Sequence, residues 1–115
     1  MIAPIAEERF REGFNILAVY AHNNSAVHGF WDDEPNYAEK IALMHSELSE
    51  ALEAIRHKNP PSDHIPEFSG VEEEFADVII RIMDVAHYCK YRVAEALIAK
   101  MEFNESRSPK HGKEF

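Results

Sequence analysis

Apolar residues recur at intervals of three and four along most of this chain, the spacing of one face of an α-helix. Four stretches carry the pattern: Phe10, Phe14, Leu17 and Ala21; Ile41, Met44, Leu48, Leu52 and Ile55; Phe75, Val78, Ile79, Ile82 and Ala86; and Val93, Ala94, Leu97, Ile98 and Met101. The punctuation between them agrees. Pro4 can open the first helix, because proline is tolerated in a first turn, and that helix is expected to reach about Tyr20 or His22. Asn36 and Glu39 form a capping-box pattern ahead of a second helix over 37–57. Pro60, Pro61 and Pro66 bar a continuous helix through 58–68. Ser69 and Glu72 supply another capping box for a third helix from near Gly70 to His87 or Cys89. The fourth helix should end near Phe103 or Asn104, and the polar tail from about residue 105, with Pro109 and Gly112, should be irregular. No run of alternating apolar residues suggests a sheet. The reading is all-α, a four-helix bundle in one domain over 1–115.

The connection from His22 to Pro35 is long for so small a domain, and loops of that length are often functional. It carries His28, Phe30 and Trp31, the single tryptophan. The aromatic pair suits a stacking surface for a planar ligand and equally a plug for the end of the bundle.

Two carboxylate pairs stand out on the second and third helices: Glu47 with Glu50, and Glu74 with Asp77. Residues three apart share a helix face, and each pair borders its helix's apolar stripe at the same angular offset. If the two helices pack antiparallel through those stripes, four carboxylates converge at one edge of the interface. A single exposed like-charge pair costs only about 0.2–0.5 kcal/mol and would be a solvated face. Two carboxylates about 6 Å apart near a protein surface repel by roughly 3 kcal/mol, so four together call for a cation. Oxygen donors select a hard divalent ion, Mg²⁺ or Mn²⁺. Arg81 and Asp84 continue the polar edge of the third helix; Arg81 either orients a metal ligand, touches phosphate or pairs within its own helix, and Asp84 is an outer group. His45 and His87 lie near apolar positions and read as core histidines.

The net charge of −9 argues against nucleic acid or an anionic membrane as a partner. An anionic substrate would need a metal or a local basic patch to approach. Such a patch is available late in the chain, where Lys100, Asn104 and Arg107 precede Lys110 and Lys113; the first three are candidates to hold phosphate oxygens. One cysteine, Cys89, allows no internal disulfide and fits a reducing compartment. With no signal-peptide pattern and no apolar run of about 20 residues, the expected location is cytoplasmic.

Taken together, Glu47 and Glu50 in His-Ser-Glu-Leu-Ser-Glu, Glu74 and Asp77 in Glu-Phe-Ala-Asp, and the run Lys100-Met-Glu-Phe-Asn-Glu-Ser-Arg107 resemble the MazG-like nucleotide pyrophosphohydrolases. These belong to the all-α NTP pyrophosphatase superfamily, with the dimeric dUTPases and dCTP pyrophosphatases, and the resemblance covers roughly residues 31–113. It implies a Mg²⁺-dependent enzyme that converts a nucleoside triphosphate, often a deoxynucleotide, to the monophosphate and pyrophosphate. Glu47, Glu50, Glu74 and Asp77 would then be the metal ligands. Lys100, Asn104 and Arg107 match the phosphate-contacting positions more loosely, and His28 and Trp31 fall in the variable base-recognition region. The resemblance also implies a homodimer or homotetramer with sites near subunit interfaces, which apolar residues on more than one helix face would suit. A di-iron helical bundle wants Glu-x-x-His on two helices, and the nearest pattern here is Asp84-x-x-His87. A zinc hydrolase lacks its histidine and cysteine spacing. A dimeric helical interaction module with acidic faces is the reading that remains if the carboxylates do not converge.

Overall fold

Four α-helices follow the four apolar stretches in a computed structural model that describes residues 1–114. They are α1 (Pro4–Val27), α2 (Tyr37–Arg56), α3 (Gly70–Cys89) and α4 (Val93–Glu105). Among the described residues there is no strand, only an isolated bridge between Pro61 and Ser69. α3 packs against both α1 and α2, and α4 lies on α1. No helix among the described residues is long and apolar enough to cross a membrane.

Local chemistry explains the boundaries. The Asn36 side chain accepts from the Glu39 amide at 3.1 Å and caps α2. At α3 the capping box is complete: the Glu72 amide donates to Ser69 Oγ at 3.2 Å and the Glu72 side chain accepts from the Ser69 amide at 3.0 Å. α2 stops in two left-handed residues, Lys58 and Asn59. Asn59 then binds the next helix, its Oδ1 accepting from the Val71 amide at 2.9 Å. A Cβ at Gly70 would lie 3.1 Å from that of Ala54, so the absence of a side chain lets α3 start hard against α2. Within the connection, buried Ser62 donates to Glu73 Oε1 at 2.7 Å and accepts from the amides of His64 and Ile65. His64 Nδ1 meets the other Glu73 oxygen at 2.6 Å.

Four expectations need correction. The segment from His22 is not loop: α1 continues through His22-Asn23-Asn24-Ser25 to Val27. Propensity is a weak prior, and here it is overridden by the tie from His22 to Asp84 on α3 at 2.9 Å; the helix gives way just before Gly29, at φ 89°. The tail is not wholly irregular, since Pro109–Gly112 form a 3₁₀ turn. And the pairing of α2 with α3 leaves much of both apolar stripes uncovered. Ile41, Leu48, Leu52 and Ile55 are between 46 and 57% exposed, and Phe75 and Ile79 are half exposed. The residues α2 buries are Glu47 and Ala51. His45 and His87 likewise lie exposed rather than in the core.

What core there is centres on Phe14, Ala18, Ala86 and Ala94, with Phe10, Met83 and Val93 against it. Small side chains let helices approach closely but bury little area. The accessible surface is 8722 Å², whereas a folded monomer of 13.2 kDa is expected to expose roughly 6,400 Å². The radius of gyration, 16.4 Å, likewise exceeds the roughly 13 Å expected at this length. Large apolar side chains on α1, α2 and α3 make up much of the excess.

The Ser62 hydroxyl makes three hydrogen bonds within the α2–α3 connection. Ser62→Ala is expected to leave the His64 and Ile65 amides without their acceptor and to cost about 1–3 kcal/mol, read as a lower midpoint in urea at unchanged slope. An unchanged midpoint would mean that water replaces the hydroxyl without loss.

Candidate functional site

Where α2 passes α3, Glu47, Glu50 and Glu74 each offer an oxygen, and these atoms lie within 4.8 Å of one another. Glu47, only 8% exposed, faces inward, Glu50 is exposed and Glu74 is half-buried. The trio therefore opens to solvent on one side. Glu74 Oε2 is buried with no hydrogen-bond partner. Burial first, and then hydrogen bonding to and repulsion from Glu47 and Glu50, push the Glu74 carboxyl up to about 8. At neutral pH the trio thus relieves its repulsion by keeping a proton. Asp77, one turn beyond Glu74, stands outside the trio but next to Glu47. Its carboxyl is held above the usual range by burial and by the charges of Glu47 and Glu73, with Arg81 pulling the other way.

Arg81 does not pair within its own helix. Its Nη2 and Nε donate to Glu47 Oε1 at 3.2 and 3.3 Å, an interhelical ion pair that keeps the buried Glu47 compensated.

On the other side of Glu47 lies a cavity of about 330 Å³. Glu47, Asp77, Arg81 and Asp84 form one wall; Asn24, Ser25, His28 and Phe30, from the end of α1 and the turn after it, form the other. Glu47 is the residue common to trio and cavity.

Of the two residues expected to recognise a base, His28 lines this cavity and Trp31 does not. Trp31 lies behind it, stacked on Tyr88 with ring centroids 4.0 Å apart, with Lys40 Nζ 3.9 Å from its ring centre. Phe30 is the aromatic residue that faces the cavity. Asn24 and Ser25 escaped notice because a polar run after His22 reads as loop; once the helix is known to continue, both fall a turn before His28. Asp84 carried a usable signal, since it stands two turns beyond Asp77 on the same edge.

Lys100, Asn104 and Arg107 do not line the cavity. They gather at the end of α4, where Lys100 and Arg107 approach the Phe103 ring at 4.6 and 5.5 Å and Asn104 Oδ1 is buried without a partner. Cys89, half-buried, is unpaired.

No protein-family model, curated protein or solved structure matches this chain. The chemistry therefore rests on the geometry itself.

A divalent cation entering the trio must displace the proton on Glu74, because ligands bind metals in their deprotonated form. Mg²⁺ affinity is expected to climb as pH rises from 6 towards the value of about 8 at which that carboxyl ionises. At pH 7 calorimetric heats should vary with the ionisation enthalpy of the buffer, reporting release of about one proton per ion. Glu74→Gln should remove the buffer dependence. Identical wild-type heats in every buffer would show that Glu74 is already ionised.

Proposed function

We propose that this chain is a Mg²⁺-dependent nucleoside triphosphate pyrophosphohydrolase of the MazG-like type, working as a homo-oligomer. The observation that carries the reading is the trio: three carboxylates offering oxygens within 4.8 Å, one of them with a buried, unpartnered oxygen, beside a cavity of about 330 Å³. An all-oxygen donor set of this charge fits Mg²⁺ or Mn²⁺ and suits neither zinc nor iron as well. Glu47, Glu50 and Glu74 would hold the ion, with Asp77 as the fourth carboxylate of the site. Bound there, the ion would supply Lewis acidity towards a phosphoanhydride and neutralise its oxygens.

The remaining roles fall to the chain's own side chains. Asp77, raised above the usual carboxylate range, is suited to take the proton of an attacking water. As that water's oxygen bonds to phosphorus, the bond to the pyrophosphate oxygen breaks, and the products are a nucleoside monophosphate and pyrophosphate. Arg81 holds Glu47 in place through its ion pair. Asn24, Ser25 and His28 offer hydrogen-bonding edges, and Phe30 an aromatic face, to the nucleoside. Lys100, Asn104 and Arg107 would reach the triphosphate from a neighbouring copy. A cell would use such a reaction in clearing its nucleotide pool.

The oligomer is supported by the uncovered surface. The excess of roughly 2,300 Å² per chain over a monomer's expected area, doubled for two copies, falls within the 2,000–5,000 Å² that obligate homodimers bury. Leu48 and Phe75, half exposed, directly follow Glu47 and Glu74, so an interface over the stripes would border the trio. The same apolar surface would serve a non-enzymatic interaction module, which would have no need of Mg²⁺.

Pyrophosphate release from a panel of ribo- and deoxynucleoside triphosphates, with and without Mg²⁺, tests the reaction. Activity should require the metal, and Glu50→Gln and Glu74→Gln should each lower kcat by at least about 100-fold with helicity unchanged. Near-normal rates in both variants would sink the site assignment, and folded protein that neither hydrolyses nor binds Mg²⁺ would favour the interaction module. Sedimentation should show a dimer or tetramer at micromolar concentration, with Leu52→Asp combined with Ile79→Asp shifting it to monomer. A wild-type monomer would refute the oligomer.

A further inference from the structure

We infer that Asp84 is a positioning residue that fixes the loop wall of the cavity by holding His22 and Trp31 in one hydrogen-bonded set. Its bearing on turnover rests on the hydrolase reading; its structural content does not.

Asp84 lies on α3 and is only 9% exposed. A buried carboxylate is costly unless hydrogen-bonded, and here a single oxygen does the pairing: Oδ1 accepts from Trp31 Nε1 at 2.9 Å and pairs with His22 Nδ1 at 2.9 Å. His22 belongs to α1 and Trp31 to the connection between α1 and α2, so one oxygen ties three parts of the chain. The rings complete the joint. Trp31 stacks on Tyr88 at 4.0 Å, and His22 packs against Trp31 and His87 at 5.3 and 5.2 Å. Lys40, above the other face of Trp31, donates through Nζ to the Phe30 carbonyl at 3.1 Å.

Phe30 is the residue next to Trp31 and forms part of the cavity wall with His28. Between them Gly29 takes φ 89°, and a Cβ there would come within 3.2 Å of the Asp32 carboxylate. The Phe30 amide donates to the Ser25 carbonyl at 3.1 Å and the Asp32 amide to the Gly29 carbonyl at 3.3 Å, so the turn has little freedom of its own once Trp31 is anchored. Where Trp31 goes, Phe30 follows, and with it the shape of the wall facing Glu47 and Asp77. Asp84 thus acts on a ligand through the loop, by its acceptor and not by its charge.

That distinction sets the test. Asparagine keeps an acceptor oxygen in the same place, so Asp84→Asn should retain the tether, whereas Asp84→Ala should release it. Trp31 is the only tryptophan, so its fluorescence reports the loop directly. Wild type and Asp84→Asn should emit at short wavelength with weak acrylamide quenching, and Asp84→Ala should shift to the red and quench several-fold faster at unchanged helicity. In the unmutated protein, the one indole N–H resonance should exchange slowly with solvent. With triphosphate, KM should rise about tenfold in Asp84→Ala, a tether's worth of hydrogen bonding, with kcat within a few-fold of wild type. A rapidly exchanging indole N–H, an Asp84→Ala emission like wild type, or an Asp84→Asn variant as impaired as Asp84→Ala would each overturn the inference. Wild-type protein inert to every triphosphate would refute the hydrolase reading alone, and the fluorescence and exchange results would still decide this one.

Discussion

Like-charge repulsion at the crossing of α2 and α3 is the constraint on which the rest of the arrangement depends. Oxygens of Glu47, Glu50 and Glu74 lie within 4.8 Å, where each ionised pair repels by roughly 3 kcal/mol at an effective dielectric of 20. Two helices free to move would relieve this by separating. The chain denies them that escape at one end, where Gly70 abuts Ala54 and Asn59 Oδ1 binds the Val71 amide, and where the Ser62 and Glu73 pair stitches the connection shut. Relief comes instead from Arg81, which neutralises Glu47, and from Glu74, which holds its proton to about pH 8. A segment that looks like a mere linker is thus what keeps the carboxylates together.

The same crossing explains the distribution of apolar residues. Helices that approach closely do so over small side chains, and the buried apolar positions are largely alanines: Ala18, Ala51, Ala86 and Ala94. Many of the large residues of α2 and α3, Leu48, Leu52, Phe75 and Ile79 among them, are left half exposed. An alanine core contributes little transfer free energy, since burial stabilises by roughly 25 cal/mol per Å² of apolar surface. Covering the outward stripes would therefore add more than the visible core does.

Helix positions were legible because their signals are local. Asn36, Ser69 with Glu72, and the prolines of 60–66 set boundaries that the structure meets within a residue or two. The faces were not legible, because hydrophobic periodicity identifies which side of a helix avoids water without saying what covers it. Ile41, Leu48, Leu52 and Ile55 form a true stripe, yet Ala51, inconspicuous in any pattern, is the buried residue. The closeness of Glu47, Glu50 and Glu74 could be anticipated from two i, i+3 pairs on neighbouring helices. The arrangement of Arg81, Asp84 and Trp31 could not, because it depends on α1 running beyond His22, and that extension is held by a contact 62 residues away in sequence. Lys100, Asn104 and Arg107 show the opposite limit: neighbours on one stretch of sequence, they lie away from the cavity that Glu47 and Asp77 line.

Charge also dictates an order of events at the proposed site. The wall of the cavity carries Glu47 and Asp77 beside the cation Arg81, which is already committed to Glu47, and the whole chain carries −9. A triphosphate approaching that wall meets repulsion from the trio and from the long-range field. A divalent ion meets the reverse, drawn in by the same charges and rewarded by a buried, unpartnered oxygen on Glu74. On the proposed reading, an ion would therefore enter first or arrive with the nucleotide. Because Glu47 belongs to both the trio and the cavity wall, the charge that a cation removes from the first is also removed from the second. The neutral side chains of Asn24, Ser25 and Phe30 on the other wall would be indifferent to this exchange, which would leave that side of the cavity to be shaped by the loop that Asp84 holds.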